Sequence, residues 1–216
     1  MKNILIIGLG RFGRHIAIQF TNMGHEVMAV DIREDRVNFI ANKVINAEIG
    51  DATNKAYLEE IGARDFDVCF VAIGDNFQTS LIATSALKEL GARLVVSRAS
   101  NGTHEKFLLR NGADEVIYPE KHLARWVAIR YSSEKIFDYM ELEEGYAIYE
   151  ISAPSAWVGK TIGDLNVRQK YKVNILGIKE SSGRMDMSVS ANNVICEGQH
   201  VLTLARFKDL QKLIKD

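Results

Sequence analysis

The segment GLGRFG at residues 8–13 constrains the fold most, because it directly follows the apolar run at 4–7. A G-x-G-x-x-G spacing between a strand-like run and a helix-like one is typical of a turn that binds nucleotide phosphates. Gly8 and Gly10 allow a tight turn and a close approach of phosphate, whereas Gly13 lets the helix pack against the strand. The N-terminus of that helix then presents free N–H groups to the phosphates. The chain is therefore predicted to begin with a nucleotide-binding fold.

Strand-like and helix-like segments alternate up to about residue 118. The predicted strands are 4–7, 26–30, 47–49, 68–73, 94–97 and 115–118, and the predicted helices are 13–23, 36–43, 54–61, 77–90 and 105–111. Strands separated by helices imply parallel pairing through right-handed crossovers. The predicted fold class is α/β, with a Rossmann-like doubly wound parallel sheet.

The pattern changes in the second half of the chain. Residues 122–140 contain no glycine or proline and have apolar residues at helical spacing, which predicts one long helix. Short predicted strands follow at 146–151, 173–178, 187–189 and 201–204, with helices near 162–170 and at 208–214. We therefore expect a nucleotide-binding domain at 1–119, a crossover helix at 120–140 and a small α+β domain at 141–216.

Composition and charge exclude several classes of partner. The net charge is -1, with 27 basic and 28 acidic side chains and no basic block, which argues against a nucleic-acid partner. Cys69 and Cys196 do not form a disulfide framework, so a reducing cytoplasm is expected. No apolar run approaches the roughly 18 residues of a membrane span. We expect no direct membrane insertion, and any action at a membrane requires another chain.

Polar side chains at the strand ends are expected to line one crevice, since ligands of open α/β sheets bind beyond the carboxyl ends of the strands. Asp31 is placed to accept hydrogen bonds from ribose hydroxyls and disfavours a 2′-phosphate, although Arg33 keeps NADP from being excluded. Asp51 either reaches the adenine amino group or caps the following helix, and Asp75 has the same capping alternative. Arg11 either pairs with phosphate oxygens or is a solvated surface arginine.

The sequence carries no recognisable catalytic apparatus. It has no nucleophile elbow, no Walker lysine motif and no HxxxH or CxxC spacing, and the C-terminal part is small for a substrate domain. No catalytic residue is therefore predicted, and the nucleotide is expected to act as a regulatory ligand and not as a reactant. An NAD(H)-dependent oxidoreductase and an NADH-responsive regulator stay open as alternatives.

Six segments carry a resemblance to a known family. They are GLGRFG, GHEVMAVD, GDAT, VAIGDNFQTS, LLRNGADEVIYPEK and LNVRQKYKVNILGIK. In this order they resemble the RCK family (regulators of conductance of potassium), in particular the Ktr/Trk cytosolic gating subunits of bacterial potassium uptake systems. The resemblance covers essentially the whole chain and implies a Rossmann-like N-terminal domain, a crossover helix and a C-terminal ligand-binding domain.

The resemblance implies a site for ATP and ADP, with NAD(H) also reported for relatives. The residues that it assigns to this site are Gly8, Gly10, Arg11, Phe12, Gly13, Asp31, Ile32, Arg33, Asp51, Ala52, Ile73, Gly74, Asp75, Arg98, Ala99 and His104. Arg11 matches an arginine that approaches the ATP γ-phosphate across a dimer. Glu120 matches an acid where divalent or sodium ions are placed, although the residues alone favour an ordinary helix-start carboxylate.

The resemblance also implies an assembly and a second ligand. It implies a homo-oligomer, commonly an octameric ring of dimers, that sits against a membrane potassium channel or transporter, with ATP activating and ADP inactivating. In relatives a pocket of the C-terminal domain binds cyclic di-AMP and inhibits uptake, and its contacts match Val167, Arg168, Asn174 and Ile175. Ordinary core packing is the alternative for these positions, and Lys172 stands where relatives often have glycine.

Overall fold

A six-stranded parallel sheet forms the centre of the N-terminal unit in the computed structural model, which describes residues 1–214. Its strands are β1 (Asn3–Ile7), β2 (Glu26–Asp31), β3 (Asn46–Ile49), β4 (Val68–Val71), β5 (Val95–Arg98) and β6 (Glu115–Ile117). Their order across the sheet is β3-β2-β1-β4-β5-β6. The strand order reverses beside β1, and such a switch point opens a crevice at the carboxyl ends of the strands. The predicted α/β class and doubly wound sheet are confirmed.

Helices cover both faces of this sheet. They are α1 (Arg11–Asn22), α2 (Glu34–Ile40), α3 (Lys55–Glu60), α4 (Phe77–Glu89) and α5 (Gly102–Arg110). The next helix in the chain is α6 (Pro119–Arg130), most of which belongs to the C-terminal unit. Strand β1 supplies two separate cores, since Leu5 and Ile7 pack into one cluster and Ile4 and Ile6 into the other. Because β1 is buried on both faces of the sheet, its sequence is a continuous apolar run. It also fixes the glycine turn that follows it.

The C-terminal unit, separated from the first between Lys121 and His122, contains a five-stranded antiparallel sheet. Its strands are β7 (Ile136–Glu141), β8 (Tyr146–Ser152), β9 (Asn174–Lys179), β10 (Met185–Asp186) and β11 (His200–Arg206), in the order β10-β9-β11-β8-β7. Its helices are α7 (Ile162–Leu165), α8 (Val167–Tyr171) and α9 (Phe207–Ile214). Residues 215 and 216 of the predicted domain at 141–216 lie outside the described residues.

The predicted helix over 120–140 is wrong beyond Arg130, because Ile136–Glu141 is a strand. Ile136 pairs with Ile151 and Tyr139 with Tyr149, with a register shift between Ile136 and Asp138. This irregularity brings Ile136 and Tyr139, three positions apart, onto the buried side of the strand. The helix was predicted from the spacing of apolar residues at 123–131 and from the lack of glycine and proline up to 140, and the three-residue spacing of the bulged strand gave no sign that the helix ends.

Two further predictions for the C-terminal unit need correction. The strand predicted at 187–189 lies instead at Met185–Asp186, where Met185 pairs with Lys179. The helix predicted near 162–170 is divided into α7 and α8 at Asn166, whose φ of 44° is left-handed and interrupts helical hydrogen bonding. No helix within residues 1–214 combines the length and apolar character that crossing a bilayer requires.

Candidate functional site

A cavity of about 770 Å³ opens at the carboxyl ends of the parallel strands. This volume lies within the ordinary range for small-molecule sites. Every residue predicted to bind the nucleotide lines the cavity except Gly13, Arg33, Ala99 and His104, and Glu120 lines it as well. The fold therefore brings side chains from distant parts of the sequence to one concave surface.

The glycine turn is tight on one side and open on the other. A Cβ on Gly8 would lie 2.8 Å from Cγ1 of Ile73, and the φ of Gly8 is +92°. A Cβ on Gly13 would lie 1.9 Å from the carbonyl oxygen of Gly8. At Gly10, by contrast, a Cβ would meet nothing within 4 Å. Gly8 and Gly13 are thus required by packing, whereas Gly10 leaves space free at the cavity.

The N-terminus of α1 faces the cavity without a side-chain cap. Gly10 is its N-cap residue, and the first turn holds no acidic side chain. Because the first N–H groups of a helix have no partner within the helix, they favour an anion at this position. Arg11 begins the helix with an exposed side chain that also lines the cavity. This edge of the cavity is suited to phosphate.

Asp31, at the end of β2, is buried and fixed in orientation. Its Oδ2 accepts a hydrogen bond from the Leu9 backbone N–H at 2.6 Å, and its Oδ1 accepts one from the Arg33 N–H at 2.9 Å. A guanidinium nitrogen of Arg36 lies 3.2 Å from Oδ2. The Arg33 side chain points elsewhere, into a bidentate pair with Asp35, which explains its absence from the cavity wall.

The capping alternative for Asp51 and Asp75 is wrong. Asn54 caps α3, and Asn76 caps α4 by accepting a hydrogen bond from the Thr79 N–H at 3.0 Å. Asp51 instead shapes its own turn, since its Oδ1 accepts hydrogen bonds from the Thr53 N–H at 2.9 Å and the Thr53 hydroxyl at 2.7 Å. Both aspartates line the cavity.

Arg98, at the end of β5, brings a second cation to the cavity. Its guanidinium lies across Gly74, where a Cβ would be 2.2 Å from Nη1. Nη2 donates to Oε1 of Glu120, and Nε is buried with no hydrogen-bond partner among the described residues. A hydrogen bond from its own backbone lowers the pKa of the Glu120 carboxyl most, and the hydrogen bond and charge of Arg98 lower it further. The carboxyl is therefore ionised at neutral pH. An unpaired buried donor beside the cavity favours a ligand that supplies an acceptor oxygen.

The predicted residues outside the wall occupy the surrounding core. Ala99 and His104 are fully buried. The His104 ring packs 4.9 Å from the Phe77 ring, and its Nδ1 lies 3.3 Å from the Ser100 N–H. Burial, followed by the charge of Arg98, lowers the pKa of His104, so the imidazole is neutral at neutral pH. His104 is therefore a neutral core residue whose ring contacts Phe77 outside the cavity wall.

Sequence reasoning missed several polar wall residues. They are His15, Arg36 and Thr79. His15 lies four positions after Arg11 on the same face of α1, a spacing that could have indicated it. No comparable spacing signal points to Arg36, because its contact with Asp31 depends on how the chain passes from β2 into α2.

The predicted cyclic di-AMP residues lie at the junction of α8 and β9. Val167 is buried in the core of the C-terminal unit, Ile175 packs against that core, and Arg168 is exposed. Asn174 begins β9 and is half-buried. Lys172, between these elements, has a φ of 58°, in the left-handed region that favours glycine. Core packing therefore accounts for the two apolar residues, while Arg168 and Asn174 have accessible surface.

Comparisons with known proteins cover most of the chain. The TrkA-N domain family matches residues 4–119, and the TrkA-C domain family matches residues 146–215. The Ktr system potassium uptake protein C of Bacillus subtilis is 39% identical over 99% of this chain and 96% of its own length. The Ktr system potassium uptake protein A of the same organism is 39% identical over 98% of this chain and 95% of its own length.

Solved structures share the fold. The GsuK RCK domain superposes with a TM-score of 0.68 at 18% identity, covering 100% of this chain and 48% of that one. The GsuK channel bound to NAD gives a TM-score of 0.68 at 18% identity, with 100% of this chain and 40% of that one covered. This chain thus spans less than half the length of either GsuK chain. The AMP-bound Kef C-terminal domain of Shewanella denitrificans is 25% identical, with a TM-score of 0.51 over 59% of this chain and 78% of that one.

Proposed function

This chain belongs to the RCK family, in its Ktr/Trk branch, and on that premise we propose that it is a nucleotide-sensing regulatory subunit that gates a membrane potassium channel or transporter. The observation that carries the proposal is the cavity beyond the parallel strands. It combines an uncapped helix N-terminus, a fixed carboxylate at Asp31 and the cationic side chains of Arg11 and Arg98. These are the groups that an adenine nucleotide requires for its phosphates and its ribose.

We propose ATP and ADP as the physiological ligands, with ATP activating and ADP inactivating. Arg11 is exposed, and it forms no ion pair among residues 1–214. Its guanidinium is thus free to pair with the γ-phosphate bound in an adjoining subunit. The two nucleotides then favour different subunit arrangements, because a ligand shifts an equilibrium only by its difference in affinity for the two states. A coupling of about 1–3 kcal/mol per site is typical of such regulation.

A homo-oligomer is part of the proposal. Helix α6 has no buried residue, and its apolar side chains Leu123 and Val127 are exposed. Tyr131, directly after the helix, is exposed as well. Contiguous exposed apolar surface favours burial against another chain. We propose dimers assembled into an octameric ring, located in the cytoplasm and held at the membrane by the potassium channel or transporter. Residues 1–119 would then be the nucleotide-binding domain and 141–216 the ligand-binding and dimerisation domain.

A cation at Glu120 and cyclic di-AMP at the C-terminal unit complete the proposal. The Glu120 carboxylate is ionised and accessible at the cavity edge. The described residues contain no group of three or more acidic, His or Cys side chains suited to a metal, so nucleotide phosphates or another subunit would supply the remaining ligands for a divalent or sodium ion. Arg168 and Asn174 supply the guanidinium and amide contacts for cyclic di-AMP, beside Val167 and Ile175.

Calorimetric titration of the purified chain with ATP, ADP, NADH and cyclic di-AMP, with and without magnesium, tests the proposal. Tight binding of ATP and ADP with weak binding of NADH is expected. Tight NADH binding with feeble ATP binding would contradict it and favour a redox role. Steady oxidation of NADH in the presence of carbonyl compounds would identify an oxidoreductase directly.

Arg11→Ala is expected to leave ADP affinity within about threefold of wild type while removing the ATP-specific change of the ring. The reason is that Arg11 adds a charge-assisted contact only where a γ-phosphate is present. Small-angle scattering of the assembled protein with each nucleotide measures the ring change. If ATP still reshapes the ring of the variant, Arg11 has no role in the response. Arg14→Ala is the control, because Arg14 is a nearby, half-buried arginine that packs over Phe39 and does not line the cavity.

A further inference from the structure

The ribose end of the cavity contains a pair of opposite charges. Asp31 supplies the carboxylate, which is only 5% exposed and is held by the two backbone N–H groups of Leu9 and Arg33. Arg36 supplies the guanidinium from the first turns of α2, and one of its nitrogens lies 3.2 Å from Oδ2 of Asp31. Both side chains line the cavity. A ligand ribose in this position meets both charges.

Two arginines lie close to Asp31 in sequence, and the structure distinguishes them. Arg33 is 57% exposed and forms both of its side-chain hydrogen bonds with Asp35, outside the cavity wall. Arg36 is 30% exposed, and among residues 1–214 its guanidinium hydrogen-bonds to Asp31 alone. That contact uses one nitrogen, so the other donors of Arg36 are available to a ligand.

We propose that Asp31 and Arg36 together determine whether the site accepts a ribose with a free 2′-hydroxyl or with a 2′-phosphate. The proposal rests on the adenine-nucleotide function proposed above. Asp31 accepts a hydrogen bond from a 2′-hydroxyl and repels a 2′-phosphate, as the acidic residue of NAD-binding folds does. Arg36 is the residue beside it that attracts a phosphate, the role of the arginine in NADP-binding folds. In the native chain the carboxylate neutralises the guanidinium, so the hydroxyl form is preferred.

This arrangement makes Arg36 a specificity-determining residue. Removing the negative charge of Asp31 should release Arg36 to bind a 2′-phosphate, whereas removing Arg36 should leave the site without a partner for that group. Asp31→Asn is suited to the first change, because the amide keeps the size and one acceptor of the carboxylate. Arg33→Gln is the matched control for Arg36→Gln, since both substitutions remove one positive charge near Asp31.

The experiment measures the dissociation constants of 5′-AMP and adenosine 2′,5′-bisphosphate, two probes that differ only in the 2′-phosphate. We expect wild type to prefer 5′-AMP. Asp31→Asn should shift the preference toward the bisphosphate by roughly tenfold or more, the scale of one charge-assisted hydrogen bond. The double variant D31N/R36Q should lose most of this gain and keep only the part that comes from removing the repulsion by Asp31, whereas D31N/R33Q should keep the whole gain.

Several outcomes would overturn the proposal. These are an unchanged preference in a D31N variant that still binds 5′-AMP, a gain that is as large in D31N/R36Q as in D31N, and a gain that disappears in D31N/R33Q. The single variant R36Q gives a second readout if D31N fails to fold, because it should weaken the residual bisphosphate affinity more than the 5′-AMP affinity. Wild-type protein that binds neither 5′-AMP nor ATP would instead refute the proposed nucleotide function.

Discussion

Gly13→Ala should destabilise the N-terminal unit by about 2–4 kcal/mol, as overpacking against rigid backbone does. The added Cβ would lie 1.9 Å from the carbonyl oxygen of Gly8 and 3.1 Å from the Cβ of Ala72. The first of these contacts is with backbone, so no side-chain rotation relieves it. Helix α1 would have to move away from β1 and β4, which support the nucleotide turn. Chemical denaturation followed by circular dichroism measures the loss.

Gly10→Ala is the matched control, and it separates binding from folding. A Cβ at Gly10 meets nothing within 4 Å, and the φ of -63° is accessible to alanine. We expect a stability loss of only about 0.5–1 kcal/mol, which reflects the poorer N-cap preference of alanine. The methyl group would nevertheless occupy the surface where phosphate approaches α1, so the affinity for ATP should fall by roughly tenfold. Comparable stability losses in the two variants would contradict these distinct roles of the glycines.

The sequence allowed the position of the site to be predicted because that position depends on local pattern. Each feature of the site that was predicted lies in a short stretch of sequence at the end of a strand. These features are the apolar run of β1, the glycines after it and the carboxylate of Asp31. The alternation of strand-like and helix-like segments predicted the parallel sheet and the crevice beyond it. The element ends differ by a few residues, as for α5, which begins at Gly102 and was predicted from 105.

The remaining features depend on tertiary structure, which local pattern does not encode. Arg36 reaches Asp31 through the backbone path between the end of β2 and the first turn of α2, which a spacing pattern does not show. The irregularity between Ile136 and Asp138 produces an apolar spacing that a helix would share. His104 illustrates the reverse case, in which a residue assigned to the site by resemblance is buried behind Phe77.

Arg98→Gln and Glu120→Gln should change nucleotide affinity in opposite directions. Arg98 has a side chain that is only 19% exposed and lines the cavity, with its guanidinium 5.7 Å from the ring of Phe12 in the first turn of α1. Its Nε lacks a hydrogen-bond partner among the described residues, and Nη2 is held by Glu120. Phosphate must therefore compete with Glu120 for this guanidinium. Arg98→Gln removes a cation that attracts phosphate, whereas Glu120→Gln removes the carboxylate that competes with phosphate for Arg98.

Without divalent cations, we expect Arg98→Gln to weaken ATP binding by roughly 10- to 100-fold, because a charge-assisted hydrogen bond contributes about 1.5–3 kcal/mol. Glu120→Gln should strengthen it several-fold under the same conditions. Lys121→Gln and Glu105→Gln are matched controls, because these residues pair with each other and neither lines the nucleotide cavity. Neither control should change ATP affinity by more than about twofold, since exposed charges are screened by salt.

Magnesium then distinguishes the two roles available to Glu120. If the Glu120 carboxylate only restrains Arg98, the Glu120→Gln variant should still bind ATP more tightly than wild type when magnesium is added. If the carboxylate also binds the cation beside the phosphates, magnesium should strengthen ATP binding in wild type and much less in the variant, so that the advantage shrinks or reverses. We expect the second result, because an ionised carboxylate at the cavity edge offers Mg²⁺ the hard oxygen ligand that it prefers. An equal response of both proteins to magnesium would exclude Glu120 as a cation ligand.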